Sequence, residues 1–250
     1  MTNVVPIRSA RSVAADIPEL PWPDFLAKFR QQYRATRDDA QHVTIIGPTG
    51  CGKSTLAMAI ANLRPYVFVP VCKKRDEHMR RMLRAGGYRR VDVLPEAGSG
   101  LRRVYLWPPN RGKVSRPNQR KVFGDAFQHQ FDVGVWHGLI DEGHYVAHEL
   151  GLTEDIRVGY QQLRSNGAGF ILCAQRPAWL PPDIYSSANH LFLFGTNDSN
   201  DLKRISGLNG VNDRTVRDAV QSLRRDKRFV HVNTDTGELT ISRLTGVSPT

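Results

Sequence analysis

The chain has little cysteine, no long apolar run and no internal repeat. Of its 250 residues only Cys51, Cys72 and Cys173 are cysteines. Odd in number, widely spaced and set among apolar residues or glycines, they exclude a disulfide scaffold and offer no zinc-ligand spacing, so they read as reduced thiols. The longest apolar runs, "YVFVPVC" and "GFILCA", fall far short of the roughly 20 residues that a membrane helix needs. No membrane insertion is therefore expected. The opening "MTNVVPIRSARSVAAD" lacks an apolar core of signal-peptide length, so nothing in it argues for export. Residues 1–20 read as a flexible basic arm, and the cytoplasm is the expected location.

What the chain does have is length enough for one sizeable core, with 40% hydrophobic residues, and residues 21–250 read as a single domain. It also has positive charge in one place. Between residues 73 and 121 stand fifteen Lys or Arg against four acids, a surplus of +11 equal to that of the whole chain. Such a concentration suits a polyanion-binding face, since each neutralised phosphate releases counterions. The competing reading is a solvated helix face.

Periodicity gives alternating elements. "PDFLAKFRQQYRA", with Phe25, Leu26, Phe29 and Tyr33 at helical intervals, predicts an amphipathic helix. Strands are expected in "HVTIIG", "PYVFVPVC", "VYLWPP", "VGVWHGLIDE", "GFILCAQ" and "HLFLFGT". Helices are expected between them, over "KSTLAMAIANL", "DEHMRRMLRAGG", "SRPNQRKVFGDAFQHQF" with Ser115 as N-cap, and "DIRVGYQQLRSNG". The implied fold is α/β, a central, mostly parallel sheet with helices on both faces. A helix in "DRTVRDAVQSLRRD" and a hairpin of "FVHVN" and "ELTISRL" over about 211–245 close the chain.

At the first strand-to-helix junction "GPTGCGKS" fits G-x-x-x-x-G-K-[ST], the phosphate-binding P-loop, in the required context. Gly47, Pro48, Thr49, Gly50, Cys51, Gly52, Lys53, Ser54 and Thr55 form the expected nucleotide site. Its glycines let the backbone aim N–H groups at phosphate, and the helix adds the positive end of its dipole. Lys53 supplies a point charge for the β and γ phosphates and Ser54 a hydroxyl for Mg²⁺. Cys51 stands where a small residue is needed and carries no redox role.

A P-loop needs a second strand that delivers an aspartate to the metal, and "HGLIDEGH" ends in Asp141. The adjacent Glu142 is placed to orient the attacking water and accept its proton. In "GFILCAQRP", Gln175 emerges at the carboxyl end of a strand, where ligands of parallel sheets sit, and is expected to sense the γ phosphate. His144 and Tyr145 read as packing at a helix start, Trp107 and Trp136 as core or interface, and Asp198 with Ser199 as a cap or subunit contact.

"GPTGCGKS", "GLIDEGH" and "LRSNGAGFILCAQRPAWLPPDIYSSANHLFLFGTNDSNDL" together resemble the FtsK/HerA superfamily of hexameric DNA translocases over residues 43–210, most like its compact viral genome-packaging ATPases. The spacing of Arg164, Gly167 and Gln175-Arg176-Pro177 is the most specific part. The resemblance implies a P-loop NTPase of the additional-strand, catalytic-glutamate type, in which another strand separates the aspartate strand from the P-loop strand. It further implies ATP and Mg²⁺ as cofactors, a homo-oligomeric, hexameric ring and double-stranded DNA as substrate. A protein partner at a portal, vertex or conjugation complex is also implied, with virion association if the protein is viral. Active sites between subunits would be completed by an arginine in trans, Arg164 first and Arg176 second. The DNA contacts expected from the basic segment are Arg111, Lys113, Arg116, Arg120 and Lys121. Two rival classes remain: a nucleotide-gated DNA-binding or assembly switch, of helicase-loader or virion-morphogenesis type, and a small-molecule kinase with an arginine-rich lid.

Overall fold

The computed structural model describes residues 17–34, 36, 39–205, 213–223 and 226–246. The expected arm therefore lies outside the described residues except for its last four. Those four are docked: Ile17 is buried, and β1 (Glu19–Leu20) pairs with the final strand of the chain.

The β-branched runs become strands because both faces of each are covered. β2 (Val43–Ile46), β3 (Val67–Pro70), β6 (His137–Ile140), β7 (Gly169–Ala174) and β8 (His190–Phe194) are buried at every position. With β4 (Arg89–Val91), β5 (Arg103–Leu106), β9 (Arg228–Asn233) and β10 (Glu238–Arg243) they form a ten-stranded sheet ordered β1-β10-β9-β8-β2-β7-β6-β3-β5-β4. The run from β8 to β4 is parallel throughout, whereas β9 is antiparallel to both β8 and β10. β7 separates the P-loop strand β2 from the aspartate strand β6, the arrangement that the resemblance implied.

Alternate side chains of each strand enter two cores, as the period of two requires. On one face Phe170 and Leu172 of β7 and Leu191 and Leu193 of β8 meet α4 (Arg116–Val133), α5 (Thr153–Gln162), α6 (Pro182–Ser186), α7 (Ser199–Ile205) and α8 (Asp213–Ser222). On the other, Ile171, Cys173, Phe192 and Phe194 meet α1 (Trp22–Gln32), α2 (Lys53–Ala61) and α3 (Glu77–Ala85). Phe25 and Phe29 of α1 project one turn apart onto Phe192, with ring centroids at 6.0 and 5.3 Å. The amphipathic helix read from the sequence is thus a lid on the antiparallel end of the sheet.

Three local expectations change. Ser115 is not a side-chain N-cap: its backbone is already helical, and its hydroxyl accepts from the Arg111 N–H at 2.8 Å. The segment after Glu142 opens as a π-helical turn, Tyr145–Glu149, ahead of α5. β4 was not expected, because its three residues, two of them arginines, carry no apolar alternation. The cysteines are free, as read. Among the described residues no helix is long and apolar enough to cross a membrane.

Candidate active site

The loop between β2 and α2 wraps back on itself. Gly47 N–H donates to the Ala174 carbonyl at 3.1 Å, which ties the loop's start to the end of β7. A Cβ at Gly47 would stand 2.5 Å from Phe194 Cβ, so only glycine lets the loop leave the sheet there. Gly52, at φ +108°, takes the left-handed conformation that turns the chain into α2, a conformation strained for residues with a Cβ. The nearly buried Lys53 ammonium donates to the Pro48 carbonyl at 2.9 Å, folded onto its own loop.

β6 and β7 deliver the acidic pair and the glutamine to the same place. Thr49, Lys53, Ser54, Asp141, Glu142 and Gln175 line one cavity of about 390 Å³. Gln175 has no hydrogen-bond partner among the described residues. Asp141 Oδ1 is buried without a partner. Burial pushes the Asp141 carboxyl pKa up, and the Ser54 hydroxyl facing it works the other way. A hydroxyl beside a half-shielded carboxylate with a spare oxygen is a hard oxygen donor set, which fits a Mg²⁺ ion that keeps several of its waters.

Glu142 is not free. Lys73, from the loop after β3, places its ammonium 2.5 Å from Glu142 Oε1 and 3.5 Å from Asp76 Oδ2. Burial works against the Lys73 charge, but the hydrogen bond and the charge of Glu142, with Asp76 and Asp141 behind it, raise its pKa above the ordinary lysine value. Sequence reading assigned Lys73 to the polyanion face; the structure puts it in the cavity instead. His78 and Lys227 also line the cavity and were missed. Lys227 reaches the P-loop from the turn before β9, with its Cγ 4.0 Å from where a Cβ on Gly52 would stand. No local motif marks it, because only the antiparallel end of the sheet carries it there.

The two arginines considered for a role in trans lie outside this cavity and are engaged within their own chain. Arg164 donates to the Ala40 carbonyl at 3.1 Å and to Asp39 at 3.2 Å. Arg176 pairs with Asp198 at 2.5 Å and Asp201 at 3.2 Å. Asp198 also accepts from the N–H groups of Asn200 and Asp201, capping α7.

The basic segment is divided. Arg116 pairs with Glu149 and Lys121 with Asp125, each at 2.5 Å, and Arg120 lies against Gly151. Arg111 and Lys113 have no acidic partner among the described residues. His144 packs on His148 and Trp179, while the Tyr145 hydroxyl donates to Gln119 at 2.7 Å. Trp136 is core, and Trp107 is half-buried beside the basic loop.

Solved structures share this architecture. The genome packaging NTPase B204 from Sulfolobus turreted icosahedral virus 2, in complex with AMPPCP, aligns with a TM-score of 0.59 at 18% identity, covering 84% of this chain and 99% of that one. The chain has the fold of this NTPase. The DNA-packaging ATPase B204 of Sulfolobus Turreted Icosahedral Virus aligns at a TM-score of 0.56 with 20% identity, over 84% of this chain and all of that one (100%). The pCW3 conjugation coupling protein TcpA, with ATPgS, gives 0.55 and 13% over 91% of this chain and 70% of that chain. No protein-family model matches the chain, and no curated protein does.

Proposed function

We propose that the protein is a Mg²⁺-dependent ATPase that couples hydrolysis to the movement of DNA as a ring of identical subunits. The observation that carries this reading is the meeting of Lys53, Ser54, Asp141, Glu142 and Gln175 around one cavity. Neighbours in fold named as genome-packaging and conjugation-coupling proteins support the DNA-handling part.

In this reading the P-loop N–H groups and Lys53 hold the β and γ phosphates, with Lys227 adding a second cation at the cavity wall. Mg²⁺ held by the Ser54 hydroxyl, and through its waters by Asp141, would neutralise charge on those phosphates. Glu142, once released by Lys73, orients a water and takes its proton as the water oxygen bonds to the γ phosphorus. The bond to the β–γ bridging oxygen breaks, giving ADP and phosphate. Gln175, unpartnered at the end of β7, is the group placed to distinguish triphosphate from diphosphate.

Arg164 remains the proposed trans arginine, since its bonds to Asp39 and a backbone carbonyl are exposed enough for a neighbouring subunit to redirect it. Arg111 and Lys113 are the segment's readiest phosphate contacts. The pairing of Lys73 with Glu142 favours one rival, a switch that hydrolyses slowly until gated. Steady-state ATP hydrolysis with and without double- and single-stranded DNA tests the choice, with Glu142→Gln as the blank. Stimulation by DNA that the variant loses supports the motor; hydrolysis indifferent to DNA refutes it and supports the switch.

A further inference from the structure

We propose that the pocket around Trp107 is a binding site for the phosphodiester backbone of DNA, linked to Glu142 through Lys73. This rests on the DNA-handling reading above and adds to it a location and a connection.

The pocket, about 380 Å³, opens beside β5 and the edge strand β4. Lys74, Arg80, Arg90 and Arg111 are four of its nine lining residues, and none of the nine is acidic. Lys74 and Arg111 have no acidic partner among the described residues. Arg90 is held by the Trp107 carbonyl at 2.9 Å, and Arg80 stands over the indole at 5.3 Å from its centroid while pairing with Glu77 at 2.6 Å. Cations gathered in one concavity repel one another unless an anion joins them, and the concavity focuses their field on that anion. Because Arg80 already covers the indole, the pocket is shaped for phosphates and not for a stacked base. Binding there is therefore expected to be independent of base sequence.

The pocket's wall also holds the chain that carries Lys73. Trp107 Nε1–H donates to the Lys73 carbonyl at 2.8 Å, and the Asn110 amide donates to the Cys72 carbonyl at 2.7 Å. The buried Gln119 amide donates to the same Cys72 carbonyl at 3.0 Å and accepts from Tyr145, three residues past Glu142. The side chain at the end of this path is the one paired with Glu142. A phosphate that draws Lys74, Arg111 and the 107–110 wall toward itself pulls on the two carbonyls that position Lys73.

The test is titration of a labelled duplex at several salt concentrations against the full chain, the Lys74→Ser/Arg111→Ser double variant and a control, Arg30→Ser/Arg214→Ser, which removes equal charge elsewhere. The pocket variant is expected to bind at least tenfold more weakly than the control, with a salt slope lower by about two, near 0.9 for each lost phosphate contact. Affinity and slope equal to the control's would overturn the site while leaving the DNA reading intact. A wild-type protein that binds no duplex at low salt would overturn that reading itself. A second variant, Trp107→Phe, keeps the pocket's charge but loses the bond to the Lys73 carbonyl. At duplex concentrations that saturate binding, its DNA stimulation of ATP turnover is expected to drop severalfold; undiminished stimulation would remove Lys73 from the connection.

Discussion

The Lys73 ammonium and the Glu142 carboxylate stand 2.5 Å apart, so the carboxylate proposed to activate water is held by a cation from a neighbouring strand end. While the pair holds, the carboxylate is turned toward Lys73 and must leave it to reach a water. Lys73→Met keeps the aliphatic stem and removes the charge. Turnover without DNA is expected to rise severalfold in this variant; a fall instead would mean that Lys73 serves the reaction and does not restrain it.

Glu142→Gln should keep nucleotide binding and lose at least a hundredfold in turnover, the lower range for removing a general base. In the same variant, ATP with Mg²⁺ should raise the melting temperature more than ATP with a chelator. Equal shifts would argue against the unpartnered Asp141 oxygen and Ser54 as a metal site.

A mixing experiment decides whether Arg164 acts across subunits. Lys53→Ala protein lacks a working P-loop but supplies a normal Arg164, and Arg164→Ala protein has the converse defect. Each alone should be nearly inactive, and their mixture should recover activity. No recovery in mixed oligomers would leave Arg164 with only its bonds to Asp39 and Ala40.

Four buried histidines make stability depend on pH. Burial, with Arg164 nearby, lowers the His42 pKa to about 3, and burial brings His190 to about 3, while His137 and His231 fall well below the ordinary value. His42 Nδ1 accepts from the Phe170 N–H at 3.0 Å, so protonation there also breaks a bond. Below a pH of about 6.5 the unfolded chain binds protons that the native chain refuses. Their stabilisation is whole above that pH and declines as pH falls toward 3, by up to about 1.4 kcal/mol per pH unit for each histidine. Urea midpoints should drop clearly between pH 7.5 and 5.5; a flat profile would contradict the burial.

Phe29→Ala should cost about 3–5 kcal/mol, the usual range for emptying a buried aromatic site. Phe29 is fully buried and packs on Phe192, His190 and His231. A loss below 1 kcal/mol in chemical denaturation would mean that α1 is not part of the cooperative core.

Local sequence determined what local physics can determine. β-branched runs buried on both faces had one stable outcome, and "GPTGCGKS" between a strand and a helix makes the same phosphate loop wherever it stands. The acidic pair and Gln175 were legible because each ends a parallel strand, and such ends gather at one edge of the sheet. Tertiary structure decided the rest. Lys73 changed from presumed surface charge to the partner of Glu142 because β3 lies beside β6 in the sheet. Lys227 reached the P-loop because β9 and β10 extend the sheet next to β8, and Arg116 and Lys121 met acids across and along α4. A side chain's charge is written in the sequence, but what neutralises it depends on which strands become neighbours, and that is settled only when distant segments bury their apolar faces together.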